Sequence, residues 1–205
     1  MAKGIEKELK YELTEKEYKK ILQLRTKGSA RHHFENIFFD TKSLKLNRSL
    51  IGVRIRIAGR VAYFTVKSKP PKTASIKGYT VRKETEVQIP IEKAKGIIRG
   101  DLSFSTLRNY SPWNHLASLC QISKLQIVPL GGLRTIRTMI KHQDLCLELD
   151  RCRLFNEDFF ELEVETEAYQ KAQAIIRRLF TRLGIEVRPH DQSKLGRFIE
   201  SYKKR

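Results

Sequence analysis

Period-two alternation of apolar and charged residues, recurring in segment after segment, constrains this chain more than any other feature. Successive residues of a strand face opposite sides of its sheet. Runs rich in Val, Ile, Tyr and Phe predict strands over about 4–13, 36–40, 50–58, 61–68, 79–89, 133–141, 144–151 and 159–166. In the first, Ile5, Leu9, Tyr11 and Leu13 share a face with Lys7, while Glu6, Glu8, Lys10 and Glu12 take the other. In the third, Ile51, Val53, Ile55 and Ile57 oppose Arg54 and Arg56. Arg82, Glu84 and Glu86 oppose Tyr79, Val81, Val87 and Ile89. Glu148 and Asp150 oppose Leu145, Leu147 and Leu149, and Glu161, Glu163 and Glu165 oppose Phe160, Leu162 and Val164.

An antiparallel sheet with one face in water also alternates. Here, however, charge is segregated by strand: paired carboxylates on one, paired arginines on another. Two carboxylates at i and i+2 repel each other. Four such pairs, Glu6/Glu8, Glu84/Glu86, Glu148/Asp150 and Glu161/Glu163, make physical sense where cations neutralise them. An all-oxygen donor set suits a hard ion, Mg²⁺ or Mn²⁺, better than zinc. Arg54 and Arg56 would in turn hold phosphate oxygens through forked hydrogen bonds, with lysines as point charges.

Few helices interrupt the strands. Thr14 and Glu17 form a capping box before Ile21 and Leu22. Short helices are expected at 91–98 and 112–122, and a longer one over 167–183 that stops at Gly184. Lys69-Pro70-Pro71-Lys72 marks a loop. The pattern predicts an α+β, mostly β fold: a barrel or curled sheet with a charged inner face and helices packed outside.

The chain, residues 1–205, reads as a single domain, and 40% hydrophobic residues suffice for a sizeable core. No segment approaches the roughly 20 apolar residues of a membrane span, and the start lacks the apolar core of a signal peptide. Cys120, Cys146 and Cys152 show no C-x-x-C spacing, so reduced thiols in a cytoplasmic protein are expected. The net charge of +18 attracts polyanions, but part of it, such as the tail at 201–205, is solvated surface.

The motifs, in order, resemble the CYTH superfamily, the triphosphate tunnel metalloenzymes. Glu6-x-Glu8-x-Lys10 resembles the ExExK signature. Phe38-Phe39-Asp40-Thr41, Val53-Arg54-Ile55-Arg56, Tyr63-Phe64-Thr65-Val66-Lys67, Arg82-x-Glu84-x-Glu86, Glu161-Leu162-Glu163-Val164-Glu165 and Ser193-Lys194 resemble the later motifs. Together they span roughly 4–199. The resemblance implies a closed tunnel of eight antiparallel strands that holds a triphosphate. Metal ligands would be Glu6, Glu8, Asp150, Glu161 and Glu163. Phosphate would be held by Lys10, Arg54, Arg56, Lys67, Arg82, Arg137 and Lys194. Glu84, Glu86, Glu148 and Glu165 would serve a second metal or support the first, and Lys10, Glu6, Glu8 and Arg56 would be catalytic. The sixth strand offers both Arg134 and Arg137, on opposite faces; Arg137 is favoured by the Thr-x-Arg spacing.

Three functions follow as expectations: a Mg²⁺- or Mn²⁺-dependent hydrolase of inorganic, thiamine or nucleoside triphosphates; an adenylate cyclase of the class IV type; and a non-catalytic module binding polyphosphate or RNA ends. The substrate would be a small molecule. No basic run with interleaved aromatics marks a single-strand nucleic-acid surface, and nothing marks a membrane surface. His32 and His33 read as loop histidines before a strand, His190 as a neighbour of Lys194, and Trp113 as a helix anchor.

Overall fold

The computed structural model describes residues 4–69 and 76–204, so Pro70, Pro71 and Lys72 of the expected loop lie outside the described residues. In chain order the elements are β1 (Ile5–Leu13), α1 (Glu15–Leu22), β2 (Arg31–Asp40), α2 (Lys45–Arg48), β3 (Ile51–Ala58), β4 (Val61–Ser68), β5 (Tyr79–Ile89), α3 (Ile91–Arg99), α4 (Ser111–Leu119), β6 (Val128–His142), β7 (Leu145–Leu154), β8 (Glu157–Glu165), α5 (Tyr169–Leu183) and α6 (Lys194–Lys203). The antiparallel strands close into a barrel in the order β1-β5-β4-β3-β2-β6-β7-β8.

The capping box forms: Thr14 Oγ1 accepts from the Glu17 amide at 3.3 Å, and Glu17 Oε2 accepts from the Thr14 amide at 2.8 Å. Gly184 ends α5 in the left-handed conformation. β2 starts at Arg31, so His32 and His33 belong to the strand instead of preceding it, and both are exposed. β6 starts at Val128, ahead of the expected 133. Neither Arg-His-His nor Pro-Leu-Gly-Gly has strand propensity; partner strands supply what local preference lacks. The helix expected to reach residue 122 ends at Leu119, where Cys120 turns extended, and a 3₁₀ turn follows over Ile122–Lys124. Two helices were not foreseen. α2 is capped by Asp40, whose carboxylate accepts from the amides of Leu46 at 2.9 Å and Asn47 at 2.8 Å; the Phe-Phe-Asp-Thr motif thus has a structural task. α6 begins at Ser193, whose hydroxyl accepts from the Gly196 amide at 3.0 Å.

The chain forms two compact units, one mainly from residues 34–69 and 82–133, the other mainly from 6–33 and 134–204. Each has its own core on the apolar face of its strands. In the first, Val53, Ile55, Phe64 and Val66 pack with Ile97 of α3 and Leu116 of α4, and Trp113 lies 5.8 Å from Phe104. In the second, Leu9, Tyr11, Leu147, Leu149, Leu162 and Val164 pack with Ile21 of α1 and Ile176 and Phe180 of α5. Each fully buried aliphatic or aromatic side chain contributes about 1.5–3 kcal/mol. Covering the apolar faces with helices leaves the charged faces turned the other way. Among the described residues no helix is long and apolar enough to cross a membrane.

Two details of the first unit yield predictions. A Cβ on Gly132 would stand 1.8 Å from the Asn36 carbonyl oxygen, so only glycine lets these backbones approach. Gly132→Ala should lower stability by about 1–3 kcal/mol, measured as a urea midpoint shift. His115 bridges Ser68 Oγ at 3.1 Å and Thr85 Oγ1 at 3.0 Å, and burial, aided by Lys83, holds its pKa below the usual value. Its neutral form therefore contributes stability that is present above the unfolded pKa of 6.5 and lost as pH falls below it. Stability should drop more steeply between pH 7 and 5 in the wild type than in His115→Gln, measured by urea denaturation across that range.

Candidate functional site

The charged faces of the two units have opposite characters. In the second unit, the β1–β8 register sets Lys10 opposite Glu163, and the β7–β8 register sets Asp150 opposite Glu161. Lys10 Nζ lies 2.6 Å from Glu163 and 3.6 Å from Glu8. On β6, opposite Asp150, Arg137 donates from Nε to Asp150 Oδ1 at 2.8 Å and from its terminal nitrogen to Oδ2 at 2.7 Å, a bidentate pair. It also meets Glu148 and Glu163. Arg134 is exposed on the opposite face. Lys194, the first residue of α6, reaches Asp150 at 2.9 Å and Glu163 at 3.0 Å, and it pairs with Glu161.

Lys194 is delivered by the segment that precedes α6. The Glu12 amide donates to Arg188 O at 3.0 Å, and the His190 amide donates to Lys10 O at 3.0 Å, which pins that segment along β1. His190 itself meets Arg197 at 3.3 Å. Burial, reinforced by the Arg197 charge, holds its pKa below the usual value.

Lys10, Asp150, Glu161 and Glu163 are all nearly inaccessible to water. Burial opposes every one of these charges, so the partners decide the outcome. Burial would lower the pKa of Lys10, but Glu163 and Glu8 outweigh it and hold Lys10 above the usual lysine range. Asp150, Glu161 and Glu163 outweigh burial in the same way for Lys194. Burial would raise Glu163, but Lys10, Lys194 and Arg137 hold it well below the carboxylate range. Glu148 is the exception: burial pushes it up to about 7 against the pull of Arg137.

Lys10, Arg137 and Lys194 each pair with more than one of Glu8, Glu148, Asp150, Glu161 and Glu163. In Glu161, Oε2 is buried and accepts no hydrogen bond, while Oε1 pairs with Lys194. A buried carboxylate oxygen in that state is costly. An oxygen donor set, a buried carboxylate oxygen that accepts no hydrogen bond and a lysine ammonium resting among the carboxylates all fit a divalent cation. Glu6 shares the strand face of Glu8 and Lys10, half-buried toward the start of β1; Glu165, across from Glu8, is exposed.

In the first unit the balance reverses. Arg54 lies 3.4 Å from Glu86, which also accepts from Thr65 Oγ1 at 2.8 Å. Lys67 lies 2.6 Å from Glu84. Arg56 donates to the neutral Asn36 Oδ1 at 2.9 Å and stacks 4.4 Å from the Phe34 ring. Arg82, half-buried, shares the strand face of Glu84 and Glu86. Sequence reasoning missed Asn36 and Thr65, since neutral residues between charged ones carry no periodic signal. It also missed Cys152, which follows Asp150 by two and shares its strand face; that spacing could have found it.

If Arg137 holds the carboxylates together, Arg137→Met should cost about 3–5 kcal/mol in urea denaturation, the usual price of leaving buried charges unpaired. Arg134→Met should stay within about 0.5 kcal/mol.

The CYTH domain family matches residues 4–198. No curated protein matches the chain. Among solved structures, a candidate adenylyl cyclase from Hippeastrum with a dominant triphosphatase activity superposes with a TM-score of 0.83 at 21% identity, covering 96% of each chain. A candidate adenylate cyclase from Bacillus halodurans superposes with a TM-score of 0.78 at 24% identity, covering 97% of this chain and 99% of that one. At these identities the likeness concerns fold, whereas the match to the family spans nearly the whole sequence: the chain belongs to the CYTH domain family.

Proposed function

We propose that this protein is a divalent-metal-dependent hydrolase of triphosphate-containing small molecules, with inorganic, thiamine and nucleoside triphosphates as candidate substrates. The observation that carries this reading is the split in polarity: a carboxylate-rich cluster in one unit and a cation-rich row in the other. Carboxylates suit a divalent ion, and arginines and lysines suit phosphate oxygens. The dominant triphosphatase activity of the Hippeastrum relative supports the same choice.

Glu8, Asp150, Glu161 and Glu163, with Glu6 beside them, would hold Mg²⁺ or Mn²⁺. When bound, such an ion supplies charge neutralisation at phosphate oxygens and an acidified water. Arg54, Arg56, Lys67 and Arg82 would bind and orient phosphate oxygens, Arg56 by a guanidinium already aligned on Asn36 and Phe34. Lys10, held charged by Glu163 and Glu8, would stabilise charge that develops at the reacting phosphoryl group. Lys194 would exchange carboxylate contacts for phosphate. Arg137 keeps Asp150 in place through its bidentate pair, and any phosphate contact would come from its remaining donors. Glu84, Glu86, Glu148 and Glu165 would orient these groups or serve a second ion.

A panel of triphosphates with Mg²⁺ or Mn²⁺, scored for both phosphate and cyclic nucleotide, tests the reading. Metal-dependent phosphate release should fall by about 10²-fold or more in Glu161→Gln. Cyclic AMP as the main product from ATP would replace hydrolysis with the cyclase reading. Release unaffected by metal or by Glu161→Gln would end the metal assignment.

A further inference from the structure

Cys152 lies where the acidic cluster of the second unit is deepest. β7 presents Glu148, Asp150 and Cys152 at alternate positions, hence on one face. Cys152 is fully buried, and its sulfur, an Asp150 carboxylate oxygen and a Glu161 carboxylate oxygen all lie within 4.8 Å of one another. The Thr135 hydroxyl meets the Cys152 sulfur at 3.5 Å, which fixes its orientation. A buried cysteine is ordinarily a small hydrophobe packed among apolar neighbours. This one stands among carboxylates and faces a lysine ammonium.

The second observation is Glu161. Glu161 belongs to the same triad; its Oε1 pairs with Lys194, and its Oε2 is buried and accepts no hydrogen bond. A carboxylate oxygen in that state points to an acceptor site for a cation. The other cation there, Lys194, holds Asp150 at 2.9 Å and Glu163 at 3.0 Å and pairs with Glu161, so the carboxylates already converge on one positive charge.

We propose that Asp150, Cys152 and Glu161 form a mixed oxygen–sulfur site that binds a thiophilic divalent ion, zinc above all, in preference to magnesium. Three protein donors that include one sulfur match the donor types of a Zn²⁺ site, whose fourth position water or substrate would take. Mg²⁺ wants six hard oxygens and gains nothing from the sulfur. On binding, the thiol proton leaves to solvent and an S–Zn bond takes its place, with no change of oxidation state. Zinc competes for the carboxylates that Lys194 holds. The inference rests on reading the cluster as a metal site, and not on which triphosphate is cleaved. It makes zinc a competitor of the hard ion at the same carboxylates.

Cobalt(II) substitutes for zinc and reports sulfur ligation, so the test needs no turnover. Co²⁺ added to the metal-free full-length protein should produce a thiolate-to-cobalt charge-transfer absorption. The band should persist in Cys120→Ser and Cys146→Ser and vanish in Cys152→Ser. By calorimetry, Cys152→Ser should lose roughly tenfold or more in Zn²⁺ affinity, at least the loss seen for weaker supporting partners, with Mg²⁺ affinity essentially unchanged. Co²⁺ binding without the band in the wild-type protein overturns the proposal whether or not the variant folds. So does a band that survives Cys152→Ser or follows Cys146. If neither Co²⁺ nor Zn²⁺ binds while Mg²⁺ does, only the thiol site falls. If no divalent ion binds at all, the metal reading under the proposed function falls with it.

Discussion

Everything polar in the second unit depends on how a buried row of carboxylates is held together. Like charges on one strand face repel, and removal from water strips them of hydration. The chain answers with three cations from three separate elements: Lys10 of β1, Arg137 of β6 and Lys194 of α6. Each pairing requires a backbone arrangement. The β1–β8 register brings Lys10 to Glu163, the β6–β7 register brings Arg137 to Asp150, and the hydrogen bonds of Arg188 and His190 to β1 bring α6 and its Lys194. A one-residue slip in any of these strands would turn the partner to the apolar side. Buried ion pairs add little net stability; in a register shifted by one residue these charges would lose their partners.

That logic explains which parts were legible in the sequence. Period two survives translation into structure because the helices cover one face only, so Leu9, Leu149 and Leu162 could be told from Lys10, Asp150 and Glu163 without coordinates. The capping box at Thr14 and the stop at Gly184 are local, and local chemistry suffices for them. The start of β2 at Arg31 and of β6 at Val128 are not local: pairing with other strands decides them, and the residues involved are poor strand formers. α6 escaped because Ser193-Lys194 reads equally well as a short motif or as a helix start.

The site was legible as a set of charges but not as a set of partnerships. Spacing alone placed Glu148, Asp150, Glu161 and Glu163 on polar faces, and the alternation separated Arg134 from Arg137. No spacing says that Arg137 spends two donors on Asp150, or that Arg56 meets a neutral amide while Arg54 and Lys67 meet carboxylates. Those facts depend on cross-strand neighbours, which a single strand does not contain. The cysteine is the sharpest instance. Cys152 read as one of three unremarkable thiols until the β7–β8 register brought Glu161 opposite Asp150, two residues away.

Taken together, the charges describe a cluster of shared partners. Lys10, Arg137 and Lys194 are shared among several carboxylates, and one of these, Glu148, is lifted toward neutrality by burial. Lys194 reaches the middle of the group from a helix start instead of a sheet position, so its side chain is not held between two neighbouring strands. Were Asp150, Glu161 and Glu163 to hold a divalent ion in its place, they would gain one unit of positive charge, and the Lys194 ammonium would be available to an anion. Under the proposed function, metal entry and phosphate capture would thereby be coupled through a single side chain.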